Sequence, residues 1–144
     1  MFELRKTWQM DPRLAADTIE IATLGESKIL LMNDKRWPWV IVVPMINNAE
    51  ELHDLAPGRR ESALQLACHL GENLKAHTGC EKINIAALGN IVRQLHIHVV
   101  ARSENDPNWP APVWGYGVAE RYSKAEAQAL CDSLKETFRA TLFS

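Results

Sequence analysis

The sequence predicts an α+β domain built on a largely antiparallel sheet of about five strands, and three observations carry that prediction. Strand-like runs come in adjacent groups instead of alternating one by one with helices. One of them, Val40-Ile41-Val42-Val43, is β-branched without a break and reads as a central strand buried on both faces. Two stretches, 57–79 and 123–143, are rich in helix formers with apolar residues at helical spacing. A chain of 144 residues suits a single domain, taken as 1–144, with its core at about 19–115 and a C-terminal helix at about 123–143.

The elements follow in chain order. Residues 19–24 and 28–33 flank Gly25-Glu26-Ser27, which reads as strand, turn, strand. The run Val40 to Val43 is closed by Pro44. Between Pro57 and Gly79 the residues Leu64, Ala67, Leu70 and Leu74 fall on one side of a helix. Residues 82–85 and 95–102 read as two further strands joined by a turn at Gly89-Asn90. Residues 103–118 hold three prolines, two tryptophans and no clear period, so they form an irregular loop that packs through its aromatics. The last stretch opens with Ser123-Lys124-Ala125-Glu126, a capping-box pattern, and continues with Leu130, Leu134, Phe138 and Leu142.

Composition narrows the function classes. The chain is 47% hydrophobic and 24% charged with a formal net charge of -2, which supplies no basic field for nucleic acid or a membrane surface. Met1 to Lys6 lead into a charged, proline-containing stretch without the apolar core of a secretory signal, and the longest apolar run is too short to span a bilayer. Three cysteines, Cys68, Cys80 and Cys131, are odd in number and lack CxxC spacing, which fits packing residues in a reducing cytoplasm.

The chemistry concentrates in Gln94-Leu95-His96-Ile97-His98-Val99-Val100. On a strand Gln94, His96 and His98 project from one face while Leu95, Ile97 and Val99 cover the other. A polar stripe on so apolar a strand asks for an anionic ligand, a metal or a proton-transfer role. A zinc site lacks partners, because His53, His69 and His77 fall in or near the long helix and no acidic residue stands at ligand spacing, so no metal is expected. A neutral imidazole attacks phosphorus when a carbonyl holds its far nitrogen in the right tautomer, and the resulting phosphoramidate is labile enough to hydrolyse. His98, Gln94, Asn90 and backbone amides near Gly89 are the candidate donors to the phosphoryl oxygens.

This segment resembles the signature of the histidine triad (HIT) superfamily, His-φ-His-φ-His-φ-φ with φ apolar. Asn33 before a strand, Val40 to Pro44, His53-Asp54-Leu55-Ala56-Pro57 opening a helix, then Gly89-Asn90 and the triad strand ending at Arg102 are similar in order and spacing to the Fhit, diadenosine polyphosphate hydrolase-like branch. Trp109-Pro110-Ala111-Pro112 is similar to the Trp-Pro-Pro segment of the Hint branch. The resemblance implies that His96 is the nucleophile toward the α-phosphorus of a nucleotide and that His98 hydrogen-bonds its phosphate. It also implies that Asn33 and Asn84 contact nucleoside and ribose and that Asn90 and Ile91 stand near the phosphate. It implies a two-fold homodimer and no cofactor of the protein's own, although a substrate can carry Mg²⁺ on its phosphates.

Two departures from the pattern shape the expected activity. Gln94 stands where the first histidine belongs, and Ile91 offers no hydroxyl. A carboxamide donates a hydrogen bond but does not release a proton near neutral pH, so a leaving group that needs protonation is disfavoured. Dinucleoside polyphosphates are therefore expected to be cleaved better than nucleoside phosphoramidates; the alternative is a nucleotide-binding module or sensor with weak or lost catalysis. Of the five tryptophans, Trp109 is expected at a dimer contact or, failing that, beside the nucleotide together with Trp114.

Overall fold

A computed structural model describes residues 7–142; the Met1 to Lys6 stretch and the last residue of the expected C-terminal helix lie outside the described residues. The first hairpin joins β1 (Thr18–Leu24) and β2 (Ser27–Met32). Leu24 pairs with Ser27, so the loop is only Gly25-Glu26, and Gly25 takes the left-handed φ of 57° that a glycine adopts without strain. Next come β3 (Trp39–Pro44), β4 (Lys82–Ala86) and β5 (Ile97–Arg102), and the sheet runs β1-β2-β3-β5-β4 with every pair antiparallel. All six residues of β3 are buried, as its unbroken β-branched run predicts, and it holds the centre of the sheet. The α+β class and the antiparallel sheet are those read from the sequence.

Three α-helices and a 3-10 turn at Leu52–Asp54 accompany the sheet among the described residues. The short α1 (Pro12–Asp17) was not foreseen; Asp11 caps it by accepting from the Arg13 and Leu14 amides, and Pro12 fits its first turn. The long α2 (Pro57–Thr78) ends at Gly79, whose φ of 68° closes the last turn through a bond to the Lys75 carbonyl. Its buried line is Ala63, Ala67, Leu70, Gly71 and Leu74, whereas Leu64 is exposed. The small residues decide this: a Cβ on Gly71 would lie 3.3 Å from Ile83, so the helix meets the sheet along its narrow side. In α3 (Lys124–Leu142) the Ser123 hydroxyl accepts from the Glu126 amide at 3.1 Å. Here Ala127, Cys131, Leu134 and Phe138 are buried and Leu142 is exposed, because steps of four overrun a 3.6-residue turn and drift off the core face. Cys80 and Cys131 are buried packing residues, but Cys68 is exposed.

The sheet has two covered faces. One carries Ile29, Leu31, Val40, Val42, Ile97, Val99 and Ala101 against Leu70 and Leu74 of α2 and Leu134 and Phe138 of α3. The other carries Leu30, Trp39, Ile41, Val43 and Val100, and lies under Trp8, Met10 and Leu14 from one side and Val113 and Trp114 from the loop after β5. The face from which the histidines project is thus itself covered by a second apolar cluster. Tryptophan-rich irregular segments close the second face, and the histidine stripe lies beneath them. No helix among the described residues is long and apolar enough to cross a membrane.

Candidate functional site

Ten residues, 87–96, connect β4 to β5, so Gly89-Asn90 belongs to an extended loop and not to a tight turn. Regular pairing starts only at Ile97, which leaves Gln94, Leu95 and His96 at the mouth of the sheet. The Leu95 amide donates to the Ala49 carbonyl at 2.9 Å, fastening this loop to the segment after β3. The His96 ring turns back on its own chain, with Nδ1 at 2.7 Å from the Gln94 carbonyl oxygen. A carbonyl accepts only, so Nδ1 carries the proton and the lone pair stands on Nε2. Gly89 packs against this ring: a Cβ there would come within 2.6 Å of the Val92 carbonyl oxygen and 3.2 Å of His96 Cε1. No other residue fits without displacing the loop or the imidazole.

His96 is 6% exposed and lines a polar cavity of about 290 Å³ with Glu50, Glu51, Gly89, Asn90, Arg93 and Gln94. Arg93 is the cation of this wall, paired with Glu50 at 3.5 Å. Asp54 accepts from the Glu51 and Glu50 amides at 2.8 and 3.1 Å, and those bonds hold its carboxyl below the usual carboxylate range. Ile91 is 73% exposed and its side chain is not part of the wall.

His98 is held differently. The Trp39 indole donates to Nδ1 at 3.0 Å, which leaves Nε2 as the protonated nitrogen, donating to the Leu88 carbonyl at 3.1 Å. Its ring meets those of His96 at 4.8 Å, Trp114 at 5.2 Å and Trp39 at 5.6 Å. Burial lowers its pKa to about 4 against the opposing pull of the Leu88 carbonyl, with a further lowering from His96, so the ring is neutral. Both nitrogens are engaged by protein groups, so the phosphate contact expected of His98 would require one of these bonds to open.

The remaining expectations divide in the same way. Gln94 borders the cavity, but its carboxamide is turned to the N-terminal segment, accepting from the Asp11 amide at 2.8 Å and donating to the Gln9 carbonyl at 2.9 Å. Asn33 accepts from the Tyr122 amide at 2.9 Å and lines a separate cavity of about 270 Å³ with Asp34, Arg36, Trp39 and Trp114. Asn84 accepts from Arg102 at 3.2 Å. Arg102, 1% exposed, also binds both Asp106 oxygens and the Ala111 carbonyl and lies 5.6 Å over the Trp109 ring. Trp109 therefore packs on the buried guanidinium that braces the loop after β5. His96, Gly89, Asn90 and Gln94 line one cavity with the His98 ring against His96, Asn33 lines a second cavity whose Trp39 and Trp114 touch the His98 ring, and Asn84 and Trp109 line neither. Sequence reasoning missed Glu50, Glu51, Arg93, Trp39 and Leu88; only Arg93, adjacent to the histidine stripe, carried a local signal. No group of three or more His, Cys, Asp or Glu that could hold a metal ion occurs among the described residues.

The HIT domain family model matches residues 14–105. A histidine triad protein of Sinorhizobium meliloti 1021 is similar at 47% identity and a TM-score of 0.89, covering 91% of this chain and 97% of its own. A histidine triad protein of Marinobacter aquaeolei VT8 is 36% identical with a TM-score of 0.90, covering 93% and 98%. One from Bradyrhizobium japonicum is 37% identical with a TM-score of 0.88, covering 92% and 98%. Among curated proteins none matches.

Proposed function

The chain belongs to the HIT domain family, and from that premise we propose that it hydrolyses or transfers a nucleotidyl group through a covalent nucleotidyl-His96 intermediate. The observation that carries this reading is the His96 ring, its Nδ1 proton fixed on the Gln94 carbonyl and its Nε2 lone pair left as nucleophile at a polar cavity. Nε2 attacks the α-phosphorus; the new N–P bond forms as the P–O bond to the leaving phosphate breaks. Water then attacks the same phosphorus and gives up a proton to solvent, the N–P bond breaks with its electron pair returning to Nε2, and a nucleoside monophosphate leaves with His96 neutral again. Arg93 and the backbone amides around Gly89 and Asn90 are the donors for the charge on the phosphoryl oxygens. Glu50 and Glu51 repel a bare polyphosphate, which favours a substrate arriving with Mg²⁺ on its phosphates.

Nothing at residue 94 protonates a leaving group. A phosphoanhydride needs little protonation and an amine needs it badly, so the substrate class we propose is the dinucleoside polyphosphate or a related anhydride conjugate, as in the Fhit-like branch. A cytoplasmic homodimer joined through β4, an edge strand among the described residues, fits the same reading. Steady-state kinetics on a dinucleoside polyphosphate and a nucleoside phosphoramidate tests it: kcat/KM is expected to favour the anhydride by about 10²-fold or more, as lost general-acid help should give, and equal values contradict it. The engaged side chains of Gln94 and His98 favour one second reading, binding without turnover; tight AMP binding with no hydrolysis of either substrate selects it.

A further inference from the structure

We infer that Gln94 is a positioning residue that makes the N-terminal segment a working part of the His96 site. The inference rests on the reaction proposed above and extends it to residues that no element of the triad strand contains. Gln94 lies before β5, so no sheet ladder fixes its carbonyl. That carbonyl is nevertheless the atom that sets the His96 tautomer, at 2.7 Å from Nδ1. Its position depends on the tethers of the loop itself: the neighbouring Leu95 amide on Ala49, and the Gln94 side chain on Asp11 and Gln9.

The side-chain tether is two-sided. A carboxamide accepts from the Asp11 amide and donates to the Gln9 carbonyl, bridging the segment as a strand partner would. The segment is itself anchored, because Asp11 caps α1, Leu14 of α1 is buried in the second core and Trp8 and Met10 pack on that core. Position is thus passed from the second core through the segment to Gln94, and through its carbonyl to the nucleophile. The family match begins at residue 14, so Gln9 and Asp11 lie outside it. In place of a histidine that could move a proton, this chain has a clasp that holds one in place on its neighbour.

The full chain with Gln94→Leu, which loses both bonds, and with Gln94→Glu, which keeps the acceptor, tests this. Histidine ¹⁵N spectra of the wild type are expected to show His96 protonated on Nδ1 alone. In Gln94→Leu that pattern should give way to a mixture of tautomers, the Asp11 amide should exchange faster, and kcat should fall about 10²-fold with KM nearly unchanged, as misplacement of a reacting group gives. In Gln94→Glu activity relative to wild type should recover on acidification, because the substituted carboxyl, once protonated, again accepts and donates. Faster Asp11 exchange with an unchanged His96 spectrum and unchanged kcat in both variants overturns the inference and leaves Gln94 a structural tether. The spectra read positioning without substrate: a wild type that forms no nucleotidyl adduct sinks the proposed reaction, while the His96 response to Gln94→Leu still decides the clasp.

Discussion

His96 has one ring nitrogen bonded among the described residues and lines a polar cavity, whereas His98, two residues further on, has both nitrogens bonded beneath a layer of tryptophans. The two side chains share a chemistry and a direction from the chain. What separates them is their place relative to the end of the sheet: His96 precedes the first paired residue of β5, and His98 lies inside the ladder opposite Ile41 and Ala86. At the end of a sheet a ring can meet solvent and its own backbone. Within the sheet it must find its partners in the core, here the Trp39 indole and the Leu88 carbonyl. The lesson is that the alternation of a motif fixes which way its residues point, while the partner of each second nitrogen decides what each can do.

The comparison breaks most visibly at His96. His96→Ala is expected to lose about 10³-fold or more in kcat/KM with a smaller drop in melting temperature than His98→Ala, since its ring makes one protein hydrogen bond where His98 makes two; substrate turnover and calorimetry on the same preparation check both. His98→Ala should do the reverse, losing about 2–4 kcal/mol of stability by removing a buried ring and leaving the Trp39 donor unpaired, with far less loss of activity per folded molecule.

Acid sharpens the contrast. Unfolded, His98 takes up its proton near 6.5, and folded only near 4, so between those values the unfolded chain holds more protons and stability falls as pH falls. The contribution is complete above pH 6.5, and its loss by about pH 4 amounts to about 3 kcal/mol. Denaturation series across this window should show a shallower slope for His98→Gln than for wild type, and equal slopes contradict the assignment.

Smaller effects follow from the neighbours. Trp39→Phe removes the indole donor and should cost about 1 kcal/mol, with the His98 titration changed and the His96 spectrum kept. Arg93→Ala at the exposed wall should raise KM about several-fold with kcat nearly unchanged, as an exposed cation does, and the rise should shrink at high salt.

The parts of the fold that the sequence discloses are those with a period. β3 is legible from the unbroken β-branched run Val40 to Val43, which the structure extends to six buried residues, and Ser123 and Gly79 mark helix ends by geometry that few other residues satisfy. The carbonyl that holds the His96 tautomer was anticipated as a requirement, but its source, Gln94 itself, was not. That residue reads as a side chain at the head of the stripe, and only folding reveals that its main chain faces the His96 ring and its amide faces Gln9 and Asp11, more than eighty residues earlier in the chain. Contacts of that range leave no local pattern. The same holds for the second core, where Trp39 and Trp114 come from segments with no common spacing, and for Asn33 and Asn84, whose polar side chains serve Tyr122 and Arg102.

In the proposed reaction His96 Nε2 becomes covalently bonded to phosphorus. Wild-type protein incubated with a dinucleoside polyphosphate, quenched in alkali where an N–P bond survives, and mapped by peptide mass spectrometry should carry one nucleotidyl group on the peptide containing His96, with none on the His96→Ala chain. Turnover by wild type with no adduct at any time point, or an adduct that persists in His96→Ala, contradicts the account.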